Sequence, residues 1–578
     1  MTQPFNPPKW DSIDEELFLH RVRPDGWRNP EPRAVYDLVI IGAGPAGLAA
    51  AEDACRLGCS VALVEGYRLG GVSLNSGSVP SKVIIRAGRL YTAARVAEEF
   101  FTGGTSALQI DFGVVRARMH RVGARIAEYH SADRLRAKGI DLFFGSARFS
   151  GADEILADGV PLHFRKALIA TGARPRLSDI SGLDTLEYRT SATIFEMTAL
   201  PKRLAVIGGG PLGCQMAQAF CRLGSHVTII QNDPKFLPGE ERDAAELVSL
   251  AMARDGVEIR LNTTVTKARL EGSVKILETI NNGVKDHVEA DEILLSVGRS
   301  PNVEMLGLDA AGIAFDTSVG IKVDEYLHTA NAAVYAAGDV CMPLKFGNAA
   351  QASARIAVQN ALVGGEGRMN DLLIPWCTYC DPEIAHIGMH IWDAKERSIP
   401  VKTYTVMMQD VDRAITDGQD LGFIKIHTEE GTDKILGVTI AASRASEMIN
   451  EMSVIMRAGM SMGTLGRCCA HLSGAVRGHY AGRLGLYSRS AQGRLSQELF
   501  INPAVTLCAS LDKLANMVAA HLSPRPTKHR ISAMRIFRHI SAESATFVLP
   551  SGNSAIHSVD VLDPQDQTRD IRIVLGDR

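Results

Sequence analysis

Two glycine-rich turns carry most of the chemistry that residue type and spacing alone announce. The first, Gly42-Ala43-Gly44-Pro45-Ala46-Gly47, follows the apolar run Tyr36-Asp37-Leu38-Val39-Ile40-Ile41 and precedes an alanine-rich segment, Leu48 to Leu57. In such a turn Gly42 permits the tight reversal, Gly44 lets the backbone approach a pyrophosphate and Gly47 allows close helix–strand packing. The unpaired N–H groups and partial positive charge of the helix start then favour an anion. Glu65 stands 23 positions after Gly42, at the end of the strand-like run Val61-Ala62-Leu63-Val64, where a carboxylate accepts hydrogen bonds from both hydroxyls of a ribose. A lone GxGxxG is weak, and its bland reading is a packing turn; strand, helix and acid together predict a dinucleotide site. The second turn, Gly208-Gly209-Gly210-Pro211-Leu212-Gly213, has its strand in Arg203 to Ile207, its helix in Cys214 to Leu223 and its next strand in His226 to Ile230. Gln231 stands where the acid is expected. An amide still hydrogen-bonds a 2′-hydroxyl and lacks the charge that rejects a 2′-phosphate, Lys235 is the nearest cation, and the choice between the two nucleotides stays open.

Two βαβ units imply two dinucleotide domains in one chain. Residues 1–34, rich in Pro, Trp and charge, read as an extended N-terminal arm. From about residue 366 strand-like runs (Gly422 to His427, Ile435 to Ile440) alternate with a helical one (Ala445 to Ala458) without a glycine turn, which predicts an α+β domain. The tail beyond about residue 490 holds an amphipathic stretch (Leu511, Leu514, Met517, Val518, Leu522), short runs at Ala545 to Leu549 and Ile571 to Leu575, and basic residues (Arg525, Lys528, Arg530, Arg535, Arg538) that read as a solvated face.

A further set of runs resembles the pyridine nucleotide–disulfide oxidoreductases, a family that includes dihydrolipoamide dehydrogenase, glutathione reductase and mercuric reductase. Leu69 to Lys82 (LGGVSLNSGSVPSK) looks like that family's active-site helix. Ala170-Thr171-Gly172-Ala173-Arg174-Pro175 resembles the crossing between its FAD and NAD domains, and Val297-Gly298-Arg299-Ser300-Pro301-Asn302 the close of the NAD domain. Tyr335 to Val340 (YAAGDV) is similar to the motif whose Asp, here Asp339, holds the FAD ribitol, and Pro375 to Glu383 to the entry of the dimerisation domain. Trp27-Arg28-Asn29-Pro30 is similar to mercuric-reductase-like members. The resemblance spans about residues 20–490. It implies FAD contacts at Gly42, Gly44, Gly47, Glu65, Gly71, Lys82, Gly145, Thr171, Gly172 and Asp339, and NAD(P)H contacts at Gly208, Gly210, Gly213, Gln231 and Gly298.

The departures bear on mechanism. The family's redox cysteines fall at Ser73 and Ser78, and a hydroxyl cannot cycle between thiol and disulfide. The family's His and Glu acid–base pair falls at Ala470 and Arg477, with His471 one position off. Lys82 resembles the lysine beside flavin N5, whose Glu partner is Gln215 here. The resemblance then implies an uncompensated cation that favours anionic reduced flavin and raises its potential. Two cysteine pairs offer a relocated relay. Cys377/Cys380 form a CxxC in a strand-like context that would not lower a thiol pKa. Cys468/Cys469 are vicinal, and a thiol or soft-metal role there competes with plain interface packing. The other cysteines (Cys55, Cys59, Cys214, Cys221, Cys341, Cys508) read as core.

Composition narrows the rest. A net charge of −3 over 578 residues supplies no basic field for nucleic acid or anionic lipid. No uncharged apolar run spans a bilayer, the polar N-terminus is no secretory signal, and ten scattered cysteines favour a reducing cytoplasm over a disulfide framework. The expected fold is α/β: an FAD domain (35–190 and 325–365), an NAD(P) domain (191–324), an α+β dimerisation domain (366–490) that makes a homodimer, and a C-terminal extension (491–578). The expected activity is FAD-dependent oxidation of NAD(P)H with direct electron transfer to a quinone, a nicotinamide, dioxygen or a protein. The alternatives are a non-catalytic or redox-sensing flavoprotein and, behind it, a mercuric or disulfide reductase using Cys468/Cys469.

Overall fold

In the computed structural model, the described residues are 13–97, 110–467 and the strand pair 555–560 and 572–576. The chain divides into two units, residues 1–485 and 486–578. In the second, Ala555–Asp560 and Arg572–Gly576 pair as an antiparallel hairpin. The predicted helix at 511–522 and the run at 545–549 lie outside the described residues, as do the basic cluster at 525–538, Cys508, Cys468, Cys469, Ala470, His471 and Arg477.

The apolar run Tyr36–Ile41 is the central strand of a parallel sheet. Val61–Glu65 pairs on one side of it and Val160–Ile169 on the other, with Asp141–Phe144 and Val334–Ala336 outside them. Alternation along a strand sends successive side chains to opposite faces. Leu38, Ile40 and Leu63 join a core beneath the helices Pro45–Arg56 and Gly347–Val363, while Val39, Ile41 and Val64 join a core on the other face. That second core also takes Val303, Leu306, Leu308, Ala311, Ile313 and Ile321. Residues 303–321 therefore pack on the first sheet, whereas the sequence boundary at 324 put them in the second domain. The reason is burial: these apolar residues cover a sheet face that would otherwise meet water.

The second βαβ unit builds a parallel sheet in the order Glu258–Arg260, His226–Ile230, Arg203–Ile207, Glu292–Leu295, Arg189–Thr190. A three-stranded antiparallel layer (263–271, 274–281, 284–290) lies against it. The third region is a five-stranded antiparallel sheet, Trp376–Thr378, Glu383–Gly388, Ile435–Ala442, Phe423–Glu429 and Val401–Met407, backed by the helix Ala445–Arg457.

One hydrophobic cluster runs through all three regions. Val83, Ile84 and Ile85 of the helix Ser78–Val96 pack with Cys214, Ala217 and Phe220 of the helix Pro211–Arg222, with Ile384, Phe423 and Ala441 of the third sheet, and with Cys380 in the bend between that sheet's strands Trp376–Thr378 and Glu383–Gly388. Polar groups fasten the same seam. Arg89 donates to Glu383 and to the Cys380 carbonyl, and Arg222 bridges Asp255 and Asp381. Glu241, the residue before the helix Arg242–Asp255, accepts from the Ile391 N–H and lies 3.4 Å from His390, 3.5 Å from His427 and 3.6 Å from Lys425.

The N-terminal arm departs from the extended expectation. Ile13–Val22 is a helix, with Phe18 against Gly123, Arg21 donating to the Ala124 carbonyl and the buried Glu15 carboxylate 3.4 Å from His120. Tertiary contact with the helix Phe112–Ala127 overrides a weak local apolar pattern.

Candidate functional site

The two glycine turns have one geometry. Gly42 and Gly208 have φ of 101° and 104°, where a side chain would collide with the carbonyls of Ala170 and Ser296. A Cβ on Gly47 or Gly213 would run into the carbonyl of Gly42 or Gly208, so the helix can sit this close to the turn only with glycine there. Gly44 and Gly210 are the N-caps of twelve-residue helices that begin with proline and have no side-chain cap. Their first-turn N–H groups therefore remain available for an anion. Gly71 brings its backbone against Gly44 so closely that a Cβ there would sit 2.7 Å from the Gly44 Cα.

The residues ending the two second strands make matching bonds. Glu65 Oε2 accepts from the Ala43 N–H at 2.7 Å, and Gln231 Oε1 accepts from the Gly209 N–H at 2.8 Å. Glu65 Oε1 also accepts from the Tyr67 N–H at 2.7 Å. Burial raises the Glu65 pKa, and the N–H groups of Ala43 and Tyr67 oppose that shift.

The helices Gly71–Asn75 and Ser78–Val96 place Ser73, Ser78 and Lys82. Lys82 Nζ lies 3.4 Å from Gln215 Oε1 and 3.9 Å from the centre of the Tyr379 ring. Gln215 is buried in the first turns of its helix and donates from Nε2 to the Pro211 carbonyl at 2.9 Å, which turns its oxygen toward the lysine. Burial lowers the Lys82 pKa to about 8, against the pull of Cys377, Glu383 and Cys380. The cation thus has an amide and an aromatic face for partners, and its charge is marginal rather than fixed.

Thiol chemistry finds little support among the described cysteines. Cys377 lies in a strand and is not bonded to Cys380. Burial pushes the Cys377 thiol well above its ordinary range and Cys380 up to about 12. Both are protonated at neutral pH, so neither is a ready nucleophile.

The chain crossing closes around the first site. Thr171 Oγ1 donates to the Asn302 carbonyl and Asn302 Nδ2 returns a bond to the Thr171 carbonyl, while the Asn302 N–H donates to Gly172. The Gly298 carbonyl accepts from the Arg176 N–H, and the Gly145 N–H donates to the Glu65 carbonyl. Asp339 Oδ2 pairs with Arg299 at 2.7 Å, and Lys345 Nζ donates to the Asp339 carbonyl. Beside Ser73 lies a cavity of about 320 Å³. Its apolar wall includes Leu48, Leu74, Val79 and Ile126, and its charged side Glu52, Asp53, Arg56, His130 and Arg355.

The structure therefore groups Gly42, Gly44, Gly47, Glu65 and Gly71 at one turn, Gly208, Gly210, Gly213 and Gln231 at the other, and Lys82 with Gln215 between their domains. Tyr379, Arg299 and the charged cavity residues were not anticipated. Arg299 and Tyr379 lie within the quoted runs at 297–302 and 375–383, so a charge and an aromatic ring were the available signals; for Arg355 no local pattern pointed to the site.

Comparison with known proteins fits this geometry. The family model for pyridine nucleotide-disulphide oxidoreductases matches residues 36–361, and that for the dimerisation domain of the same proteins matches residues 374–472. A mercuric reductase from Lysinibacillus sphaericus is 32% identical over 427 residues, covering 74% of this chain and 78% of the relative. A dihydrolipoyl dehydrogenase from Thermus scotoductus is 32% identical over 435 residues, covering 75% and 93%. Among solved structures, LpdA from Mycobacterium tuberculosis aligns with a TM-score of 0.71 at 26% identity, over 78% of this chain and 99% of its own. The Cu(II) complex of the HOCl-induced flavoprotein disulfide reductase RclA from Escherichia coli aligns with a TM-score of 0.69 at 25% identity, over 78% and 99%.

Proposed function

Because the chain belongs to the pyridine nucleotide-disulphide oxidoreductase family, we propose that it is an FAD-dependent NAD(P)H oxidoreductase in which hydride passes from NAD(P)H to FAD and electrons then go directly to an acceptor, with no redox disulfide between them. FAD and NAD(P)H are the cofactors of this family, and its dimerisation domain supports a homodimer. Among the described residues no helix is long and apolar enough to cross a membrane.

The observation that carries the reading is the repetition of one hydrogen-bonded turn at Gly42–Glu65 and Gly208–Gln231, with Lys82 and Gln215 meeting between the two domains. FAD, when bound, supplies the two-electron centre. The first-turn N–H groups of the helix at Pro45 would hold its pyrophosphate, Glu65 would accept from ribose hydroxyls, and Asp339, its carboxylate fixed by Arg299, would orient the ribitol. The first-turn N–H groups of the helix at Pro211 would hold the pyrophosphate of the nicotinamide nucleotide, and Gln231, its oxygen taken by the Gly209 N–H, would donate to the ribose from Nε2. The two sites would bring donor and acceptor together, and proximity alone would then lower the barrier. On this reading Ser73 and Ser78 take the positions of the family's redox cysteines, and their hydroxyls hydrogen-bond but carry no electrons. An acceptor must then approach directly, and the cavity at Ser73, half apolar and half charged, suits a small planar acceptor such as a quinone.

The test is an anaerobic titration with NADH and then NADPH, following the flavin spectrum. The reading requires bleaching at one equivalent per flavin with no thiolate–flavin charge-transfer band, and reoxidation by quinone. A second equivalent with such a band would transfer the relay to thiols, Cys468/Cys469 first. No bleaching with either nucleotide would leave a non-catalytic or redox-sensing flavoprotein.

A further inference from the structure

Glu65 and Gln231 make the same first bond, and what each has left over differs. The Glu65 carboxylate is held at both ends, by the N–H groups of Ala43 and Tyr67, and can only accept. Gln231 is held at one end. Its oxygen is taken by the Gly209 N–H, which as a donor dictates that Oε1 and not Nε2 faces it. A Cβ at position 209 would lie 3.4–3.5 Å from the Gln231 side chain, so glycine there leaves the amide room to reach the N–H. Nε2 makes no hydrogen bond to any described residue, and Gln231 is 8% exposed. With this turn read as the nucleotide site, the group it offers to the ribose is a neutral donor with no competing partner among the described residues.

The charges around it do not restore a bias. Asp233 Oδ1 accepts from the backbone N–H of Lys235, while the Lys235 ammonium is exposed with no ion pair among the described residues; the loop thus carries one charge of each sign. Arg260, the nearest guanidinium on the neighbouring strand, is committed to Glu258 and Asp286. The site has neither a carboxylate aimed at the 2′ position nor a free arginine to reward a phosphate there. A hydroxyl oxygen and a phosphate oxygen both accept from Nε2.

We infer that Gln231, with its oxygen locked on Gly209, makes the second nucleotide site accept nicotinamide dinucleotides with and without a 2′-phosphate alike. This rests on the reading of that turn as the NAD(P)H site and deepens it by setting its selectivity.

The experiment is calorimetric titration of the FAD-loaded full chain with NAD⁺ and NADP⁺, which differ only in the 2′-phosphate and report binding without turnover. The wild-type dissociation constants are expected to agree within about tenfold. Gln231→Glu, which installs the Glu65 arrangement, is expected to weaken NADP⁺ by at least about tenfold while NAD⁺ stays within about threefold. Retention of flavin in the variant verifies its fold. If NAD⁺ binds and NADP⁺ is more than about tenfold weaker, or the reverse, or if Gln231→Glu leaves the ratio unchanged, the inference is overturned while the oxidoreductase reading stands. If neither nucleotide binds, the reading of the second site itself fails.

Discussion

Replacing Gln215 with glutamate isolates what the amide does to Lys82. Their polar atoms are 3.4 Å apart, and burial holds the Lys82 pKa at about 8. A carboxylate at that distance adds ~5 kcal/mol of attraction at an effective dielectric constant of ~20. That equals roughly 3.5 pKa units, from which the desolvation of the new charge subtracts a part. Lys82 in Gln215→Glu is therefore expected to titrate above about pH 10. The assay is the visible spectrum of the oxidised, FAD-loaded protein across the range from about pH 6 to 10.5. The wild type should show a transition near about pH 8 that the variant lacks. The flavin midpoint potential at neutral pH should also be lower in the variant, because the added negative charge offsets the cation that stabilises anionic reduced flavin. Identical pH profiles would refute the claim that Lys82 titrates against Gln215. A variant potential equal to or above that of the wild type would refute the electrostatic argument.

The folded pKa of Lys82 lies below its unfolded value of 10.5, so the unfolded chain binds more protons between the two and stability rises with pH across that window. Lys82→Met is accordingly expected to stabilise the protein by about 3 kcal/mol at pH 7 in chemical denaturation, while slowing flavin reduction. Glu240 has the opposite sign: it is 3% exposed and burial raises its pKa from 4.5 to about 7, so stability falls as pH rises through that range. Glu240→Gln, which keeps an acceptor for Thr378, should remove that loss and be about 3 kcal/mol more stable than wild type near pH 8. Gly213→Ala should abolish nucleotide binding and leave FAD in place, since its Cβ meets the Gly208 carbonyl and nothing in the first turn; flavin retention with calorimetry separates the two sites. Val79→Trp, filling the cavity beside Ser73, should cut quinone turnover by at least about tenfold and leave anaerobic reduction by NAD(P)H within about twofold; equal loss in both half-reactions would place the acceptor elsewhere.

The glycine turns were legible because their logic is local. A strand, six turn residues and a helix start lie within one short stretch, and the collisions that demand Gly47 and Gly213 involve carbonyls only five positions away. Gln231 was legible as a departure, but its orientation was not: only the folded Gly209 N–H shows which end of the amide is spent. The same holds for Lys82, whose aromatic partner Tyr379 comes from another domain. The helix Ile13–Val22 was missed because its buried face includes Glu15, a residue a hydrophobic pattern counts as surface. The packing of residues 303–321 was not legible from chain order, which runs them on from the second domain, because only the apolar contacts of Val303, Leu308 and Ile321 show that they cover the first sheet.

The continuous cluster from Val83 through Phe220 to Phe423 bears on how such a protein could be recombined in evolution. By sequence the second nucleotide domain is an insert with clean ends, a part that could be cut out and exchanged. By packing it owns only part of its core, and the face of Pro211–Arg222 is completed by residues encoded more than a hundred positions upstream and well over a hundred downstream. A transplanted copy would arrive with an apolar wound and with Arg222 stripped of Asp381. Exchange between relatives should therefore succeed as inheritance of whole chains rather than through shuffled domains.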